Sequence, residues 1–153
     1  MQSVETGTVP TPDSLVLSVH KRTGFTYNAQ RRPTREKLIA GGTTWQLIHR
    51  LYQARGELVC ETVRMNPAAF AALPNPCELG AEGPHGPDRI TRHSYDAAGA
   101  LTGIYEGTGT TAMLALLSYT PQGLTDVRSE GKGSGVDHDY DPIGRLTRQA
   151  DTS

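Results

Sequence analysis

The chain reads as an all-β protein of consecutive antiparallel β-hairpins, interrupted by one irregular insertion with room for a short helix. Three observations predict this. A related octet recurs behind five tyrosines, at positions 27, 52, 95, 119 and 140. The octet carries the residues of a tight turn at fixed offsets. The segments flanking most copies alternate or carry the β-branched and aromatic residues of strands.

The octets are Tyr-Asn-Ala-Gln-Arg-Arg-Pro-Thr from Tyr27, Tyr-Gln-Ala-Arg-Gly-Glu-Leu-Val from Tyr52 and Tyr-Asp-Ala-Ala-Gly-Ala-Leu-Thr from Tyr95. Tyr-Thr-Pro-Gln-Gly-Leu-Thr-Asp follows from Tyr119 and Tyr-Asp-Pro-Ile-Gly-Arg-Leu-Thr from Tyr140. Their spacings are 25, 43, 24 and 21 residues, so the 43 spans about two periods and one repeat there is overwritten. A type I turn favours Asp, Asn or Ser first, Pro second and Gly fourth. Asp141, Pro142 and Gly144 meet all three preferences; Asp96 and Gly99, and Pro121 and Gly123, meet two. Turns are therefore expected at 28–31, 53–56, 96–99, 120–123 and 141–144. A following bulged, left-handed Gly makes a common three-residue hairpin loop. That loop sets Asp141 opposite Arg145, Tyr140 opposite Leu146 and Asp139 opposite Thr147. The same register pairs Tyr95 with Leu101 and Tyr52, before Gly56, with Leu58. Tyr119 departs, because Leu124 comes one residue early and predicts a tighter or slipped turn. Tyr27 departs because Arg31 stands where the glycine belongs.

In chain order, Ser14–His20 alternates as an N-terminal strand within a segment 1–22. Repeats occupy 23–63, with strands at Thr43–Tyr52 and Glu57–Val63. A Pro/Gly-rich insertion fills 64–88. There Asn66 suits an N-cap, Pro67 a first helical residue and Ala68–Leu73 a short helix; the rest is irregular. Repeats resume over 89–153, with strands at Arg89–Asp96, Leu101–Glu106, Ala112–Leu117, Val136–Asp141 and Arg145–Gln149. Gly131–Gly135 reads as a flexible hairpin connection.

Charge and motifs exclude several functions. A net charge of −1, from 15 basic and 16 acidic residues, gives no general attraction to nucleic acid or anionic membrane. The longest apolar run, Ala112–Leu117, is too short for a membrane span. The N-terminus shows no signal peptide. Asp137, His138, Asp139 and Asp141 cluster, but strand alternation points His138 away from Asp137 and Asp139, which argues against a shared metal. An acid/base site would not accept Gln53 or Thr120 where Asp141 stands, whereas a turn does. His85 is a loop residue with no evident partner, and His20, His49 and His93 are scattered. No catalytic residue, metal site or cofactor is expected. Cys60 and Cys77 form one disulfide in an oxidising compartment, closing 16 intervening residues for about 3 kcal/mol, or stay as two unpaired thiols.

The repeated Tyr-Asp-x-x-Gly-x-Leu-Thr of Tyr95–Thr102 and Tyr140–Thr147, supported by the octets at Tyr27, Tyr52 and Tyr119, resembles the RHS/YD-repeat family over roughly residues 22–153. The resemblance implies β-hairpins wound into a hollow shell. In bacterial members the shell encloses a C-terminal toxin domain; in teneurins a similar shell serves adhesion. It implies a secreted or cell-surface setting, and as partners the remaining repeats of a larger shell or an encapsulated toxin. Five repeats are too few to enclose a protein, so the expectation is a non-catalytic shell fragment. The alternative is a surface repeat module that binds carbohydrate or protein. Burial of Trp45 and of the tyrosine column favours the scaffold; exposure in a row favours binding.

Overall fold

The computed structural model describes residues 2–8, 18–108 and 111–152. Eleven strands stand in one sheet in chain order. They are β1 (Gln2–Thr8), β2 (Ser18–Tyr27), β3 (Pro33–Ala40), β4 (Thr43–Tyr52), β5 (Leu58–Arg64), β6 (Arg89–Tyr95), β7 (Leu101–Gly107), β8 (Thr111–Tyr119), β9 (Thr125–Glu130), β10 (Gly135–Tyr140) and β11 (Leu146–Thr152). The all-β chain of consecutive antiparallel hairpins is what forms. Ala112–Leu117 lies in β8. Residues 14–17 of the expected first strand fall outside the described residues, and residues 18–20 open β2.

Three strands carry no clear apolar alternation. β1 is almost wholly exposed, β3 is half-buried along its whole length, and β9 is rich in polar residues. Their neighbours recruit them through backbone pairing, a force that side-chain pattern does not report.

The expected helix over Ala68–Leu73 shrinks to a single 3₁₀ turn, Pro67–Ala69. Asn66 caps it, its Oδ1 accepting from the Ala68 N–H at 3.1 Å. A six-residue segment meets the full cost of helix nucleation, and Pro74 disfavours helical geometry at Leu73.

Contacts divide the chain into two compact units. The first comprises Met1–Leu51 and Glu61–Ile90. It packs Leu47, Phe70 and Ile90 with the buried polar residues His49, Thr62, Arg64 and Asp88. Across β3, β4 and β5, Arg50 bridges Glu36 at 3.1 Å and Glu61 at 2.6 Å. Burial disfavours the Arg50 cation, but the two carboxylates outweigh it and raise its pKa. The second unit comprises Tyr52–Cys60 and Thr91–Ser153, with Cys60 and Ala115 buried.

Candidate functional site

Among the described residues one turn is used six times. At 28–31, 53–56, 96–99, 120–123, 130–133 and 141–144 the fourth N–H donates to the first carbonyl, at 2.9–3.1 Å. In each, the first residue's N–H also bonds the carbonyl that follows the turn. The fourth residue has positive φ every time: Arg31 at 61°, Gly56, Gly99, Gly123, Gly133 and Gly144. Arg31 therefore occupies a left-handed position without glycine. Asn28 supports it by accepting from the N–H groups of Gln30 and Arg32, as Asp96 and Asp141 do for their own turns.

Three expectations are corrected. The Tyr27 turn, which lacks glycine, is regular. The Tyr119 turn is neither tighter nor slipped: Tyr119 pairs with Thr125, six residues on, as Tyr140 pairs with Leu146. Leu124 stands in the place of Arg145, within 3.5 Å of where a Gly144 Cβ would sit. Asp139 faces Arg148 rather than Thr147, because an irregularity between Asp139 and Tyr140 shifts the register. The hairpin connection expected at Gly131–Gly135 is a sixth turn of the same kind over 130–133, and Gly135 already opens β10.

Within the second unit the tyrosines form a ladder. The Tyr95 hydroxyl donates to the Leu58 carbonyl at 2.9 Å, Tyr119 to Leu101 at 2.7 Å and Tyr140 to Thr125 at 2.9 Å. Each acceptor lies six residues after the tyrosine of the preceding repeat: Tyr52, Tyr95 and Tyr119 respectively. The rings are half-buried. Burial and the nearby Glu57 carboxylate push the Tyr95 phenol up, keeping it a donor. Tyr95→Phe is expected to lower stability by about 1 kcal/mol, the net worth of one such bond. Unchanged denaturant midpoints would show that the hydroxyl contributes nothing.

Asp141 holds its own turn. The Arg145 N–H and guanidinium hold its carboxyl below the usual range, with Ile143 and Gly144 adding to this. His138 places Nδ1 3.3 Å from the Asp126 carbonyl. Among the described residues no three His, Cys, Asp or Glu side chains gather as a metal site. No helix among them is long and apolar enough to cross a membrane.

The first unit holds a polar hub that sequence reasoning missed. β5 buries alternate residues, so Cys60, Thr62 and Arg64 share one face. The Thr62 hydroxyl donates to the Pro76 carbonyl. Arg64 donates to the carbonyls of Pro74 (3.1 Å), Asn75 (2.8 Å) and Glu78 (2.8 Å), and to Asp88 Oδ2 (2.7 Å). Asp88 in turn accepts from the N–H groups of Met65 and Gly80, both at 2.8 Å. Burial would raise the Asp88 pKa, but these donors outweigh it and hold the carboxylate low. His49 sits with Nδ1 3.5 Å from Arg64 Nη2. Burial first, then Arg35 and Arg64, lower its pKa to about 4. Cys60 and Cys77 are both disulfide-bonded. The insertion is thus seated by polar clamps on a strand face. An arginine two residues beyond a threonine and four beyond a cysteine on a strand was the available signal.

Trp45 is 67% exposed. It borders a cleft of about 430 Å³ with Leu38, Val63, Met65, His85 and Arg89. Tyr95, Tyr119 and Tyr140 are half-buried and tied down and Tyr52 is half-buried, whereas Tyr27 and Trp45 are exposed.

No family model matches the chain, and no curated protein matches it. Among solved structures, the chain is similar to a Tc holotoxin pore from Photorhabdus luminescens carrying a TccC3 mutation, at 12% identity and TM-score 0.42. It is similar to a TcdB2-TccC3-Cdc42 structure at 14% and 0.43, and to a TcdB2-TccC3-TEV structure at 16% and 0.42. Each match covers 92% of this chain and 8% of the other, so the chain spans under a tenth of the length of those chains.

Proposed function

We propose that the chain is a non-catalytic structural segment of a YD-repeat shell. The observation that carries this reading is the tyrosine ladder. Its side chains serve to lock one hairpin to the next, and the turn carboxylates are consumed by their own turns. On this reading the partners are further repeats of a larger shell, or a toxin domain enclosed by one, and the setting is secreted or cell-surface. No enzymatic activity and no stoichiometric metal accompany it.

A second reading, a carbohydrate- or protein-binding repeat module, draws support from Trp45 over its cleft, since exposed indoles stack on sugars and anchor protein contacts. One series separates the two. The chain is compared with versions extended by one and two copies of its Gly135–Thr152 hairpin. A scaffold gains stability with each added neighbour contact, so the unfolding midpoint is expected to rise stepwise. An unchanged midpoint, with glycan-array binding lost in Trp45→Ala, would install the binding module instead.

A further inference from the structure

The ladder has a fixed rule: a tyrosine closing the first strand of one hairpin donates to the carbonyl six residues after the tyrosine of the hairpin before it. Applied to Tyr140, the rule names Leu146 as the next acceptor. Leu146 opens β11, as Leu101 opens β7, and it faces Tyr140 as Thr125 faces Tyr119. Among the described residues β11 is one of the two outer strands of the sheet. Its burial differs accordingly: Leu101 is half-buried, whereas Leu146 is 52% exposed and β11 is exposed along nearly all its length.

We propose that β11 is a docking edge for a tyrosine-ended β-hairpin, whose first strand pairs antiparallel with β11 and whose tyrosine hydroxyl donates to the Leu146 carbonyl. The proposal rests on the scaffold reading and adds the atom that sets the register. Backbone pairing alone is indifferent to register, and a slip by one residue turns every side chain to the other face. The hydroxyl fixes it, because only one residue of the incoming strand can reach that oxygen. A second copy of this chain does not meet the requirement with its outer strands, since neither β1 nor β11 contains a tyrosine. Tyr27 is enclosed, with β2 paired to β1 on one side and β3 on the other.

The test supplies the hairpin in trans. A synthetic peptide reproducing Gly135–Thr152 is labelled and titrated with the intact chain, beside a twin carrying Tyr140→Phe. The parent peptide is expected to bind saturably and to protect amides of β11, but not of β1, from hydrogen exchange. The phenylalanine twin is expected to bind about fivefold more weakly, the equivalent of one net hydrogen bond. Equal affinities would overturn the tyrosine rule, leaving the scaffold reading to stand or fall on the extension series. Protection elsewhere, no binding at all, or dimerisation of the chain through β11 without peptide would overturn the docking edge.

Discussion

Asp88→Ala is expected to destabilise the chain by about 3–5 kcal/mol, the usual cost of removing one partner from a buried ion pair. Arg64 and Asp88 are each 3% exposed, so neither has water to fall back on. The substitution strands a guanidinium and withdraws the acceptor of the Met65 and Gly80 N–H groups together. It strikes both ends of the insertion, because Asp88 immediately precedes β6 and Arg64 ends β5. Urea melts measure the loss. Limited proteolysis locates it, with new cuts expected between residues 65 and 88 while β10 and β11 stay intact. A loss under 1 kcal/mol with an unaltered cleavage pattern would mean that the carbonyls of Pro74, Asn75 and Glu78 hold Arg64 without Asp88.

The second large effect is on acid stability, and it belongs to His49. Its pKa is about 4 in the folded chain, against 6.5 for the ordinary group. Between those values the unfolded chain binds the proton and the folded chain does not, so stability falls as pH falls. The contribution is complete above pH 6.5, drains away down to about pH 4 and changes no further below it. The depressed pKa corresponds to something on the order of 3 kcal/mol across that window. Asp88 acts lower down: its carboxylate is held below its ordinary value, so its contribution is lost only as pH falls beneath the usual aspartate range. Unfolding free energies from pH 7 to 4 are expected to slope for the native chain and to flatten in His49→Gln. Parallel slopes would remove His49 from the account.

Much of the fold is legible in the octets because turns obey local rules. Asp141-Pro142-x-Gly144 prescribes its geometry within four residues, and alternation around it marks the strands. What resisted reading was decided by partners, some within the turn and some far along the chain. The turn after Tyr27 is regular because Asn28 accepts two N–H groups, which lets Arg31 sit where glycine was expected. The leucine that looked misplaced after Tyr119 left the pairing untouched, since the register follows the backbone and not the side chain. Arg64, Asp88 and His49 are far apart in sequence and unremarkable alone. The ladder, too, lay half in view: the tyrosines recur plainly, but their partners are carbonyls, which every residue owns and no sequence displays.

Because each rung ends on a main-chain oxygen, it is blind to what the accepting residue is: leucine serves twice and threonine once. Such a joint survives substitution at the acceptor, and any two hairpins that keep the tyrosine and the turn are interchangeable across it. Unequal crossing-over could then lengthen, shorten or reorder an array without re-matching its seams. The octets can therefore drift as far apart as those at Tyr95 and Tyr119 while the hairpins they build still fit edge to edge.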